Sequence, residues 1–201
     1  ARYVEQRELL GQAHAIWLAR EALEGPALII FVDTIFEADL CDLETSGLDG
    51  VLYVREVDDP RRFGVAILDD EGMVARLVEK PADMDNRLAV VGVYYVHDSE
   101  RLIRAIEELM ERNIQTKGEY YLADAFSLMI EEGARFGVRE VSVWEDTGTP
   151  QAVLQTNRYL LEHGSDNDGK VAAYNSVIIP PVYIADSARV EHSIVGPYVT
   201  V

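Results

Sequence analysis

The chain is short of cysteine, of lysine and of long apolar runs. Cys41 is the only cysteine in 201 residues, which excludes an internal disulfide or a cysteine-held metal cluster and fits a reducing compartment. The 18 basic residues include just three lysines (Lys80, Lys117 and Lys170) and face 36 acidic residues, for a net charge of −18. A surface this acidic repels phosphate backbones, so nucleic acid is not an expected partner. An anionic substrate would need a metal ion or a local cation to offset the field. No apolar run reaches the roughly eighteen residues of a membrane span, and residues 1–5 read as neither a signal nor a transit peptide. The expectation is a cytoplasmic protein with no membrane partner. What is present is a 48% share of hydrophobic positions, ample for a packed core.

Apolar spacing over Glu8 to Leu23 predicts an amphipathic helix that ends at Gly25-Pro26. Ala27 to Val32 is an uninterrupted apolar run, the pattern of a strand buried on both faces, and it puts Asp33 at the strand's C-terminal end. In open α/β sheets that edge is where ligands bind. Further strands are expected at Gly50 to Val57, Gly64 to Leu68, Met73 to Glu79, Ala89 to Val96 and Gly137 to Trp144. Helices are expected from a Ser99 cap, over Glu119 to Glu132, and from Thr149-Pro150 to Gly164. The alternation implies an α/β domain with a mostly parallel, mixed sheet.

The pattern changes after residue 163. Residues 164–171 are polar and read as a linker. Within 172–201, Ile178, Ile184 and Val190 recur every six residues, and Val195 and Val201 follow after a one-residue slip. A six-residue period is the signature of a parallel β-helix, of which fewer than two coils fit here.

Asp33 and Asp146 both stand at expected strand ends. Two hard carboxylates from separate strands suit Mg²⁺, which completes its shell with water and substrate phosphate; on spacing alone an aspartate before a turn or near a helix start is more often a cap than a ligand. The run Asp146-Thr-Gly-Thr149 has the look of an aspartic protease triplet, but a single copy does not make that site. Val78-Glu-Lys-Pro81 pairs a carboxylate with a scarce lysine, which would supply the cation an anionic substrate requires. His14, His97, His163 and His192 show no paired metal spacing and read as surface or packing residues. Trp17 and Trp144 read as core, and Cys41 has no neighbouring base to activate it.

Seven segments in order carry a resemblance: Gln6 with Leu10-Gly-Gln-Ala-His14, Val32-Asp-Thr-Ile-Phe36, Asp59-Pro-Arg-Arg-Phe-Gly-Val65, Val78-Glu-Lys-Pro81, Ala89-Val-Val-Gly-Val-Tyr94, Lys117-Gly-Glu-Tyr120 with Asp124, and Trp144-Glu-Asp-Thr-Gly-Thr-Pro150. With these the chain resembles the sugar-1-phosphate nucleotidyltransferases, and most of all their glucose-1-phosphate thymidylyltransferase branch. The resemblance implies a Rossmann-like, GT-A-type mixed α/β sheet with flanking helices over residues 1–163, followed by the start of a left-handed parallel β-helix. The family's glycine-rich loop, G-x-G-T-R-L-x-P, does not occur in these residues, so on the resemblance the chain begins inside the catalytic domain. Val32 stands where the family usually has glycine.

The resemblance also implies roles. Gln6 and Gly11 would face the nucleobase. Asp33 and Asp146 would hold Mg²⁺. Gly64, Glu79, Val90 and Tyr94 would line the sugar pocket, Lys80 would neutralise the sugar phosphate, and Glu119 would sit near the sugar or cap a helix start. The implied reaction transfers a nucleotidyl group from a nucleoside triphosphate, dTTP or UTP, to a sugar 1-phosphate such as glucose 1-phosphate, with release of pyrophosphate. A homo-oligomer is expected from an unfinished β-helix. The alternative is a non-catalytic sugar-phosphate-binding or regulatory homologue acting through oligomerisation.

Overall fold

The computed structural model describes residues 1–167 and 173–201. Of the expected linker at 164–171, residues 168–171 lie outside the described residues, as does the first residue of the expected 172–201 segment. The chain divides into two compact units, one of Ala1–Val32 with Phe36–Trp144, the other of Asp33–Ile35 with Glu145–Val201.

The first unit is built on a six-stranded sheet. Its strands are β1 (Ala27–Ile30), β3 (Gly50–Glu56), β4 (Gly64–Leu68), β5 (Val74–Glu79), β6 (Leu88–Val96) and β7 (Phe136–Glu140), while β2 (Thr34–Glu37) pairs separately with β8 (Val143–Asp146). The long β6 is the organising strand. β3 runs along one side of it, and the other side is shared, with Val65 of β4 opposite Ala89 and β1 opposite Val93 to Val96. Side chains alternate across the sheet as a two-residue period requires. Leu52, Val54, Tyr94 and Val96 enter the larger cluster with α2 (Ser99–Glu111) and α3 (Leu122–Glu131), while Val51, Tyr53, Val91, Val93 and Tyr95 enter a smaller cluster with Leu43 and Val141.

The sheet is mixed but not mostly parallel. Only β3 with β7 runs parallel; the pairs β1–β6, β3–β6, β4–β5 and β4–β6 are antiparallel. For β4 and β5 the cause is connection length. Asp69 folds the β4–β5 turn by accepting from the amides of Glu71 and Met73 at 2.9 Å each, and a tight turn returns the chain antiparallel. A parallel partner needs a long crossover, which α2 and α3 supply before β7.

Four expected elements change. The helix predicted from Glu8 shortens to α1 (Gln12–Leu18) with a 3-10 turn at Arg20–Ala22, because the Leu10 carbonyl accepts the Tyr120 amide at 2.8 Å while the Leu10 amide bonds back to Glu8, which keeps residues 8–10 out of the helix. β1 is half-exposed, Leu28 at 42% and Ile30 at 47%, because alternate side chains point to opposite faces and only the Ile29 face packs on the larger cluster. The strand expected over Gly137 to Trp144 splits into β7 and β8, since the Val141 amide still bonds Val54 and the Ser142 amide bonds Glu37. Helix α2 is capped by Asp98, whose carboxylate accepts from the Arg101 amide at 2.9 Å, and not by Ser99, whose buried hydroxyl has no partner.

In the second unit, α4 (Pro150–Glu162) starts as expected, with the Thr149 hydroxyl accepting from the Ala152 amide. Six two-residue strands follow among the described residues: β9 (Ala173–Tyr174), β10 (Val177–Ile178), β11 (Val182–Tyr183), β12 (Val190–Glu191), β13 (Ile194–Val195) and β14 (Val199–Thr200). They pair in parallel as β9–β12, β10–β13 and β11–β14. Val182, Ile184 and Val190 are buried between them, with Ile178 and Val195 packed alongside. Of the expected apolar series only Val201 is exposed.

The two candidate caps of α2 separate by mutation. Asp98→Ala lowers unfolding free energy by about 1 kcal/mol, whereas Ser99→Ala is neutral or stabilising, because it removes a buried hydroxyl without a partner. Thermal unfolding of both variants checks the assignment; equal losses would contradict it.

Candidate active site

Gly11 is the N-cap of α1 at φ 105° and ψ 176°, a region essentially reserved for glycine. A Cβ there would lie 2.5 Å from the Tyr120 carbonyl oxygen. On either side of it the main chains are stitched together, Tyr120 N–H to the Leu10 carbonyl at 2.8 Å and Ala13 N–H to the Tyr120 carbonyl at 3.0 Å. Gln6 is folded onto the same point, its Nε2 donating to the Gly11 carbonyl at 3.0 Å. Gln6, Gly11, Ile16, Ile29, Phe31 and the exposed Glu119 are among the residues lining a cleft of about 510 Å³. Its lining is mostly apolar, with Gln6, Gln12 and Glu119 as the polar side chains, a composition suited to a ring that also carries polar groups.

Tyr120 belongs to a segment that begins with a tight turn. Thr116 and Glu119 exchange both main-chain hydrogen bonds, at 3.0 and 3.1 Å, across Lys117 (φ 53°) and Gly118 (φ 85°), as a type I′ turn requires. Glu119 therefore lies in this turn, ahead of α3, which overturns the helix-cap reading of that residue.

The other face of the segment meets the Glu79–Lys80 pair. Glu79 ends β5 opposite Gly64 of β4, and a Cβ on Gly64 would come within 2.9 Å of Glu79 Oε2; glycine makes room for the carboxylate. Lys80 turns at φ 47°, held by its amide bond to the Phe63 carbonyl at 2.9 Å. Its Nζ lies 3.8 Å from Glu79 Oε1, donates to the Tyr121 hydroxyl at 3.3 Å and sits 5.3 Å from that ring's centre. Burial pushes the Glu79 carboxyl above its ordinary range; Lys80 opposes that shift and Asp124 adds to it. Asp124 is likewise raised by burial, against a hydrogen bond from the Thr116 hydroxyl at 3.1 Å. The bond to Tyr121 keeps the Lys80 ammonium above its usual value. Val90 and Tyr94 lie on β6, opposite Val54 and Leu52. Tyr94 packs between Phe31 and Phe126, each 5.4 Å away, and burial raises its hydroxyl.

Asp33 and Asp146 belong to the second unit. Thr147 donates to the Asp33 carbonyl from both its amide and its hydroxyl, each at 3.0 Å, so Asp33 is tied to the residue after Asp146. Asp33 is exposed and Asp146 half-buried, with Asp146 Oδ1 accepting from the Gly148 amide at 2.9 Å. Val32, between β1 and Asp33, is fully exposed. No group of three or more His, Cys, Asp or Glu side chains among the described residues is placed to hold a metal.

Sequence reasoning missed three participants. Tyr121 reaches Lys80 across 41 residues of chain, which no local pattern announces. Asp124 was legible as part of a motif, but its burial beside Glu79 was not. His14, read as a packing residue, bonds Gln6.

Residues 1–163 match the family model described as "Nucleotidyl transferase". The bifunctional protein GlmU of Methanocaldococcus jannaschii is 34% identical over 189 residues, covering 93% of this chain and 44% of that protein. The glucose-1-phosphate thymidylyltransferase of Streptomyces antibioticus is 32% identical over 207 residues, covering 97% of this chain and 56% of that protein. The chain thus spans about half the length of these curated relatives. The crystal structure of a UDP-glucose pyrophosphorylase complexed with UDP-glucose shares the fold at a TM-score of 0.69 and 20% identity, over 80% of this chain and 66% of that one.

A testable consequence follows from the Glu79 shift. A carboxyl raised on folding binds its proton more tightly in the native state, so the buried charge costs stability at neutral pH, and that cost fades as pH falls into the range where unfolded glutamate is also protonated. Glu79→Gln therefore raises the melting temperature at pH 7, and the gain shrinks below the ordinary glutamate range. A lower melting temperature at pH 7 would contradict the desolvation account.

Proposed function

The chain belongs to the nucleotidyl transferase family, and on that premise we propose that the protein transfers a nucleotidyl group from a nucleoside triphosphate, dTTP or UTP, to a sugar 1-phosphate of the glucose 1-phosphate type. The observation that carries this reading is the Glu79–Lys80 pair held against Tyr121 on the same segment whose Tyr120 main chain anchors the Gln6–Gly11 cleft. One side offers a hydroxyl acceptor beside a cation, as a phosphorylated sugar needs; the other offers a mostly apolar cleft with a few polar side chains, as a nucleobase needs.

In this reading Gln6 and Gly11 meet the base, and Glu79 accepts from sugar hydroxyls next to Gly64, Val90, Tyr94 and Glu119. Lys80 places a point charge against the sugar phosphate. A phosphate oxygen of the sugar 1-phosphate attacks the α-phosphorus of the triphosphate in line, the bond to the β-phosphate oxygen breaks, and pyrophosphate leaves. The chain's share is positioning and charge neutralisation, with no covalent intermediate. The net charge of −18 is compatible with anionic substrates because the cation is local.

Asp33 and Asp146 fit Mg²⁺ by their chemistry: two hard carboxylates on main-chain segments joined by the bonds from Thr147 to the Asp33 carbonyl, the number such an ion takes from protein when phosphate and water complete its shell. When bound, the ion would neutralise charge developing on the phosphates.

The same proposal assigns residues 1–163 to the catalytic domain, 164–171 to a linker and 172–201 to the opening of a left-handed β-helix. The parallel strand pairs of the second unit support the last assignment. Assembly through that β-helix, as a homo-oligomer in the cytoplasm, completes the reading.

The intact protein, given Mg²⁺, a panel of nucleoside triphosphates and several sugar 1-phosphates, should release pyrophosphate; no release from any combination refutes the activity. Asp146→Asn should abolish turnover with the fold intact, and unchanged turnover would remove the metal role. Lys80→Gln should raise KM for the sugar 1-phosphate by about tenfold or more, the loss expected for one charge-assisted contact.

A further inference from the structure

The nucleobase reading rests on Gln6, and the hydrogen bonds around Gln6 determine which end of its amide a base would meet. The Gly11 carbonyl can only accept, so the amide atom 3.0 Å from it must be the nitrogen. That carbonyl is a fixed reference point. It also accepts the first helical amide bond, from Ala15 N–H at 3.2 Å, and Gly11 itself is clamped on the Tyr120 main chain. The second hydrogen of the same nitrogen points at His14 Nδ1, 3.0 Å away. Since the nitrogen is already fixed as a donor, Nδ1 must accept and the ring proton must sit on Nε2. The His14 ring is steadied by stacking on Trp17, at 6.1 Å and 19°. Both Gln6 donors are then occupied, and Oε1, an acceptor only, is the group left for the cleft that Gln6 lines.

We propose that His14, as a neutral imidazole protonated on Nε2, is a specificity-determining positioning residue: by accepting from Gln6 it keeps Oε1 toward the cleft and so selects bases that carry a ring N–H on the recognised edge. Uracil and thymine carry that N–H at N3. Cytosine presents a bare nitrogen there, and against Oε1 two acceptors would face each other without a proton between them. This mismatch is costly because a site built to hydrogen-bond one partner leaves its own polar group unpaired with the other. Without His14 the amide is held at Gly11 alone, so turning its nitrogen toward the cleft breaks one hydrogen bond instead of two, and Oε1 is held there less tightly. This inference rests on Gln6 being the base-reading residue, so the test keeps the two apart.

Binding of uridine 5′-monophosphate and of cytidine 5′-monophosphate to the intact protein is measured by calorimetry for wild type, for His14→Phe, which retains a ring to stack on Trp17, and for Gln6→Ala. A nitrogen-15 spectrum of the wild-type imidazole gives the tautomer without any variant. The expected results are an Nε2–H tautomer, a clear preference for the uridine nucleotide in wild type, and a fall in that preference of about tenfold in both variants. An Nδ1–H tautomer overturns the proposal outright. Loss of preference in Gln6→Ala but not in His14→Phe also overturns it while leaving Gln6 as the base reader. Unchanged preference in both variants removes the base-reading role of Gln6 and the proposal with it.

Discussion

The main-chain clamp between Gly11 and Tyr120 is the contact on which the first unit's candidate site depends. Leu10 and Ala13 bond the two sides of Tyr120, and the absence of a Cβ on Gly11 lets the strands of chain approach that closely. From this point the Thr116–Asp124 segment serves two sides at once. Tyr120 anchors the cleft residues, while Tyr121 and Asp124 meet Lys80 and Glu79. The path of the segment that serves both halves is therefore set by main-chain bonds, and side-chain bonds from Gln6 and Lys80 complete each half.

Much of this was legible in the sequence where a local rule governs. β3 to β6 fall within a residue or two of their expected spans because alternation and turn residues define them, and Thr149-Pro150 starts α4 because a hydroxyl cap and a proline at the first turn act locally. The errors arise where a distant segment intervenes. The first helix is cut at Gly11 by Tyr120, more than a hundred residues away. The strand after Gly137 is divided because Val141 and Ser142 bond different partners. The sense of the sheet was misread because an alternation of strands and helices does not reveal which connections are short.

For the site, motifs located the residues but not their environments. Glu79 and Lys80 stand side by side in the sequence, yet the raised carboxyl comes from burial with Asp124, and the lysine's anchor is a tyrosine in another element. Asp33 and Asp146 were paired by their expected places at strand ends and by resemblance; the physical link between them is the double donation of Thr147 to the Asp33 carbonyl. His14 carries no signal in the sequence beyond its motif, because its significance depends on which atom of Gln6 it meets.

The most direct measurement of the account is on Gly11→Ala, read by thermal unfolding together with calorimetric binding of uridine 5′-monophosphate and of glucose 1-phosphate. The clamp predicts a loss of about 1–3 kcal/mol from backbone strain alone and a weakening of both ligands together, since Tyr120 holds both halves. Wild-type stability with both affinities intact would contradict it.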